Sequence, residues 1–177
     1  DLTPLASLSA LRYLGVPRND ISDITPIVNL TALTNLNIGD NPIQDISALS
    51  AFQELDHLTI SNLDVSEIGS IKNAVKLEYL VMRDNNIRDI SVLQNMKQLR
   101  HFDFARNRVQ GLEALQHIPA LRHIDARKNK IRDLTPLVEN LDFGYMDSII
   151  LYDNDLSEAA RGEQTIILRG RGADVVF

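Results

Sequence analysis

Leu11, Leu33, Leu55, Leu77, Leu99 and Leu121 stand 22 residues apart without a slip, and they open the pattern L-x-x-L-x-L-x-x-N. A fixed period of this length marks a chain built of stacked supersecondary units, none of which can bury its apolar face alone. The second apolar column is Leu14, Leu36, Leu58, Leu80, Phe102 and Ile124, and the third is Val16, Ile38, Ile60, Met82, Phe104 and Ala126. A polar column follows at Asn19, Asn41, Asn85, Asn107 and Asn129. Two further columns complete the period: Ile21, Ile43, Val65, Ile87, Val109 and Ile131, then Ile24, Ile46, Ile68, Ile90, Leu112 and Leu134.

The physics of one unit follows from this pattern. The x-L-x-L-x stretch alternates with period two, so its leucines point inward and its x residues outward. Successive strands then stack in parallel, about 4.8 Å apart. The Asn side chain can satisfy backbone groups where the chain leaves the strand. The return arm reads D-I-T-P-I or D-I-S-A-L; Thr25 and Ser47 are expected as helix N-caps, Pro26 suits a first helical position, and Thr135 with Pro136 repeats the arrangement. With 22 residues per turn, the arm has room only for a short helix or a 3-10 turn. The fold class is therefore α/β: a leucine-rich-repeat, right-handed solenoid with a parallel concave sheet and short helices or 3-10 turns on its convex side.

Two departures from the period carry expectations. Leu63 stands where Asn is due, so the amide ladder should break there. The seventh strand, with Met146, Ile149, Leu151 and Asn154, starts 25 residues after Leu121, and the three extra residues are assigned to NLDFGY as a bulge of the return arm. The solenoid is assigned to residues 1–156 and a C-terminal cap of helix, Gly turn and last strand to residues 157–177. The opening DLTPLASLSA matches a return arm without its strand, so residue 1 is expected to lie in mid-repeat, in a fragment without its N-terminal cap. Exposed Leu2, Leu5 and Leu8 would then favour end-to-end self-association.

Composition narrows the function classes. The absence of cysteine excludes disulfides, thiolate metal sites and a cysteine nucleophile. No apolar run approaches transmembrane length, so membrane insertion is not expected. The net charge of −6 conceals a pattern: residues 1–67 carry 2 basic and 9 acidic side chains, residues 97–132 carry 9 and 3, and residues 133–177 carry 3 and 9. A basic band between acidic ends steers partners and says nothing about fold.

The run ISDITPIVNLTALTNLNIGDNPIQDISAL resembles the repeats of the internalins, the bacterial surface leucine-rich-repeat proteins, and the resemblance covers roughly residues 1–156. It implies an arc whose concave sheet grips a protein partner, with a role in adhesion or host interaction. The ending LRGRGADVVF departs from the internalin pattern, which continues into an immunoglobulin-like domain.

The outward strand positions supply the candidate partner-binding residues. One column is Tyr13, Asn35, His57, Tyr79, His101 and His123, ending at Ser148; the next includes Asp103 and Asp125; the third includes Arg83 and Arg127. Repeat packing demands none of these residues, and aromatic and Arg side chains are the usual anchors of interfaces. The competing reading is a solvated face whose neighbours stack for sheet stability. Arg106, Arg108, Lys128 and Lys130 form a basic rim suited to an acidic protein or an anionic glycan; the negative total charge and the lack of a recognised motif argue against nucleic acid. His101-x-Asp103 and His123-x-Asp125 share a register, which could hold a divalent metal or, equally, pair charges across strands without one. No metal, cofactor or catalytic residue is assigned. The alternatives to a surface-exposed binding module are an intracellular regulatory scaffold using the same face, or a carbohydrate- or metal-dependent binding domain.

Overall fold

A computed structural model describes all residues, 1–177. Eight three-residue strands form one parallel sheet in chain order: β1 (Tyr13–Gly15), β2 (Asn35–Asn37), β3 (His57–Thr59), β4 (Tyr79–Val81), β5 (His101–Asp103), β6 (His123–Asp125), β7 (Ser148–Ile150) and β8 (Asp174–Val176). The register is in step throughout, so Leu36 lies beside Leu58, Leu58 beside Leu80 and Phe102 beside Ile124. The return arms carry 3-10 turns at Thr3–Leu5, Thr25–Ile27, Ser47–Ala51, Gly69–Ile71, Ser91–Asn95 and Glu113–Leu115, and a one-turn helix, α1, at Thr135–Glu139. The single open parallel sheet on one side and the short turns on the other match the solenoid architecture, in which per-repeat rotation curves the stack.

The apolar columns meet in one continuous core of 51 residues from Leu2 to Val175. Leu33, Leu55, Leu77, Leu99 and Leu121 are fully buried, as are Phe102 and Phe104, whose rings stack at 4.5 Å. At the N-terminal end Leu2 is buried in this core and Leu5 packs against it; only Leu8 of the three expected apolar residues is exposed. The expectation of three exposed leucines is corrected, because the first 3-10 turn folds Leu2 under the neighbouring repeat.

The Asn ladder works by bridging adjacent turns. Asn107 Nδ2 donates to Met82 O of the turn before and to Phe104 O of its own, while its Oδ1 accepts from Ile87 N. Asn41, Asn85, Asn129 and Asn154 repeat this set. Buried Leu63 interrupts it as expected, and Asn85 of the next turn accepts from Leu63 N as well as Val65 N.

The helix caps differ from the sequence reading. Thr25, Ser47 and Thr135 are the first residues of their turns and supply no side-chain cap. The Asp two positions earlier does so: Asp23 Oδ1 accepts from Thr25 N at 2.8 Å, Asp45 from Ser47 N at 2.8 Å, and Asp133 from Thr135 N at 3.2 Å. A short carboxylate that accepts from the amide two residues on makes a turn of its own, and in so short a turn it outcompetes a hydroxyl.

The extra residues of the seventh repeat fall at the end of the expected stretch and one residue beyond it. Met146 is 81% exposed, whereas Phe143, one full period after Leu121, is fully buried and takes the first core position. The insertion is therefore Gly144–Met146, after the core residue and not within the arm. It is braced by Gly144 N donating to Asp147 Oδ2 and Met146 N to Gly172 O. Beyond it, Ser157 caps a helix that runs through a π turn, Ala160–Gln164, into α2 (Thr165–Gly170). Ala160 and Leu168 close over the core, Gly172 turns at φ +93°, and β8 adds to β7. No helix is long and apolar enough to cross a membrane.

Candidate functional site

Each strand buries its middle residue and turns its first outward. The first-residue column therefore lines up across the sheet face at strand spacing. Its rings form a ladder: His57 on Tyr79 with centroids 4.4 Å apart, Tyr79 on His101 at 5.8 Å, and His101 on His123 at 4.7 Å, all stacked. Tyr79 keeps 40% of its surface exposed within this stack. Its two ends are pinned, His57 Nδ1 by Asp56 Oδ1 at 2.6 Å and His123 Nδ1 by Ser148 Oγ at 2.6 Å. Tyr13 and Asn35 extend the column but stand outside the ring ladder, and Tyr13 is 64% exposed. Burial holds the His101 imidazole below its ordinary pKa, and the neighbouring His123 adds to this; Asp103 pulls the other way.

Asp103 and Asp125 depart from the expected pattern. They are outward strand positions, yet both are buried, beneath two arginines that fold back over the sheet. Arg83 binds Asp103 through Nε and Nη2, and its Nη2 lies 3.8 Å from Asp125 Oδ2. Arg127 grips Asp125 edge-on. Hydrogen bonding to Asp103 raises the Arg83 pKa, and bonding to Asp125 does the same for Arg127. The two carboxylates thus hold guanidiniums in place and do not themselves reach solvent. Their side-chain bonds go to arginines and not to the histidines, and no group of three or more metal-capable side chains converges anywhere in the chain.

The basic rim divides in two. Arg106 and Lys128 lie directly after the third outward column, beside Arg83 and Arg127, and line one polar cavity with them. Arg108 and Lys130 sit beyond the Asn ladder, outside that cavity, where Lys130 Nζ is 3.8 Å from Asp155 Oδ2. The sequence reading missed Asp84, whose Oδ1 is 3.3 Å from Arg106 Nη1, and the charge ladder in which Asp40 faces Arg18 and accepts from Asn62. Its signal was present: Arg18, Asp40, Asn62, Asp84, Arg106 and Lys128 recur at the 22-residue period, and all six adopt positive φ.

Models of leucine-rich repeats match residues 9–51, as two copies, and residues 76–131. Curated proteins give no match. Among solved structures, an internalin C2 from Listeria monocytogenes is 27% identical at a TM-score of 0.80, over 88% of this chain and 68% of that one. The internalin inlF from Listeria monocytogenes is 27% identical at a TM-score of 0.86, over 100% of this chain and 53% of that one. A leucine-rich-repeat protein of Leptospira interrogans shares the fold at a TM-score of 0.88 and 15% identity, over 99% of this chain and 45% of that one. The chain thus spans about two thirds of the first and about half of the other two.

Proposed function

Because this chain belongs to the leucine-rich-repeat family, with internalin-like repeats, we propose that it is a protein-binding module that grips its partner along the concave sheet, at a bacterial surface or after secretion. Leucine-rich-repeat domains in general mediate protein–protein interaction and serve as binding scaffolds rather than enzymes. The observation that carries the reading here is the ring ladder from His57 to His123. It places large, rigid, amphipathic side chains in a continuous line where the core needs nothing. Aromatic side chains fixed by stacking lose little rotamer freedom on binding, which is why they serve as interface anchors. Arg83 and Arg127, already immobilised on buried carboxylates, flank the line with charged donors. Adhesion to a host or bacterial protein is the role this arrangement suits.

The test compares capture of proteins from host-cell surface extracts and bacterial envelope extracts by the intact chain and by a Tyr79→Ala, His101→Ala, His123→Ala variant of unchanged circular dichroism. A partner held by the first and lost by the second, then reproduced with purified components, supports the reading. Equal capture would move binding to the rim or the convex side.

A further inference from the structure

The outward column that carries Arg83 and Arg127 has Ala105 between them, a buried residue. The missing side chain leaves a cavity of about 260 Å³, lined by Arg83, Asp84, Ala105, Arg106, Arg127 and Lys128. Four cations thus converge from three successive turns onto one small floor.

Three features distinguish this cavity from a solvated charge run. Arg83 and Arg127 spend Nε and Nη2 on Asp103 and Asp125, which fixes each guanidinium and leaves its Nη1 without a protein partner. Such a preset fork loses little entropy on engaging an anion. Arg106 and Lys128 adopt left-handed backbone at φ +58° and +54°, where a long side chain is conformationally costly; at the same column Arg18 does so too, whereas Asp40, Asn62 and Asp84 are the short polar residues that tolerate it. Lys128 Nζ makes no ion pair, and Arg106 commits only Nη1, to Asp84. Asp84 and the two buried carboxylates leave one net positive charge, with the cations at the mouth and the two buried carboxylates behind the guanidiniums.

We infer that this cavity is an oxyanion subsite of the concave face, taking a phosphate or sulfate ester carried on a side chain of the bound protein. The inference rests on the protein-binding reading of the sheet. A planar carboxylate satisfies one fork, whereas donors disposed around a cavity on several sides match a tetrahedral group with three terminal oxygens. The ester link gives the group an exit toward the ring ladder, along which the rest of the partner lies.

The test uses phenyl phosphate, phenyl sulfate and acetate, titrated at low ionic strength and pH 7 into the isotope-labelled chain. The readout is the amide resonances of Ala105, Arg106 and Lys128 and the Nε resonances of Arg83 and Arg127. Saturable shifts at millimolar ester are expected, with acetate about tenfold weaker, and the tighter of the two esters names the source. In an Arg106→Asn, Lys128→Asn variant, whose new residues suit the left-handed backbone as Asn62 does, ester affinity falls about tenfold or more. An Ala105→Leu variant fills the cavity, keeps every charge and loses the site as well. Shifts that do not saturate, that persist in both variants, or that are matched by acetate would overturn the inference. No partner is present in the titration, so its failure leaves the concave-face reading standing, and loss of that reading leaves the titration result intact.

Discussion

Arg127 meets Asp125 edge-on, with Nε 2.8 Å from Oδ1 and Nη2 2.7 Å from Oδ2, although the carboxylate is almost wholly buried and the arginine is not. Asp103, on the neighbouring strand, is covered by Arg83 from the turn before, which directs both Nε and Nη2 to the single oxygen Oδ2. Parallel register sets the two carboxylates side by side, so each depends on its cation. Removing one partner of such a pair leaves an uncompensated buried charge, which costs more than the pair itself contributes. Arg83→Ala is therefore expected to lower stability by about 2–4 kcal/mol, somewhat below a fully buried case because Arg83 is half exposed. Asp103→Asn placed in the Arg83→Ala background should recover a large part of the loss. Urea unfolding of the four members of this double-mutant cycle measures it; equal stability of Arg83→Ala and the intact chain would mean that water, not Arg83, satisfies Asp103.

The Asn ladder makes a second stability prediction. Asn107 serves Met82 O, Phe104 O and Ile87 N, all inside the stack. Asn107→Ala orphans these groups at about 1–3 kcal/mol for each one that water cannot reach, so a loss of about 3 kcal/mol is expected. Leu63→Asn should change stability by less than about 1 kcal/mol, because new bonds to the second turn offset the lost burial of Leu63. Denaturant midpoints at constant m-value decide both.

The period made the strands, the core columns and the ladder break at Leu63 legible before any coordinates, because a 22-residue repeat fixes which side chains face inward. What it hid was local competition. Asp23 and Thr25 are both capping residues by type, and only geometry shows that the carboxylate reaches the amide first. Met146 fits the apolar column by counting back from Ile149, yet Phe143 fills it by counting on from Leu121, and the larger ring occupies the core. In the candidate site, column position placed the rings correctly. It did not reveal that Arg83 and Arg127 fold over Asp103 and Asp125, since side chains four bonds long choose partners that register alone does not specify.

The ring ladder carries a pH dependence. The folded-state pKa of His101 lies below its ordinary value, mainly from burial and next from His123. A base held neutral by folding binds fewer protons folded than unfolded, so its contribution is complete above the unfolded pKa of about 6.5 and is lost as pH falls through that value toward the folded one. Melting temperature should therefore decline between pH 7.5 and pH 5.5, and His101→Gln should flatten that limb. A limb of unchanged slope in His101→Gln would assign it to another group.

The capping aspartates act in a lower window. Asp23 and Asp45 are held below the ordinary carboxylate pKa of 3.8, first by the amides of Thr25 and Ser47 and then by their hydroxyls. Asp133 is lowered too: burial raises it, but hydrogen bonds from Gln164 and from Thr135 together outweigh that. For an acid whose folded pKa is depressed, the stabilisation is present above the unfolded value and lost as pH falls through the folded one. The chain should keep this contribution unchanged above about pH 5 and lose it progressively below about pH 4. An Asp23→Asn, Asp45→Asn, Asp133→Asn variant retains an acceptor oxygen at each turn but has no proton to take up there. It should be less stable than the intact chain at pH 7, and the difference should close as pH approaches 2.5. Thermal unfolding across that range provides the check, and a difference that stays constant with pH would show that the three caps work through turn geometry alone, not through charge.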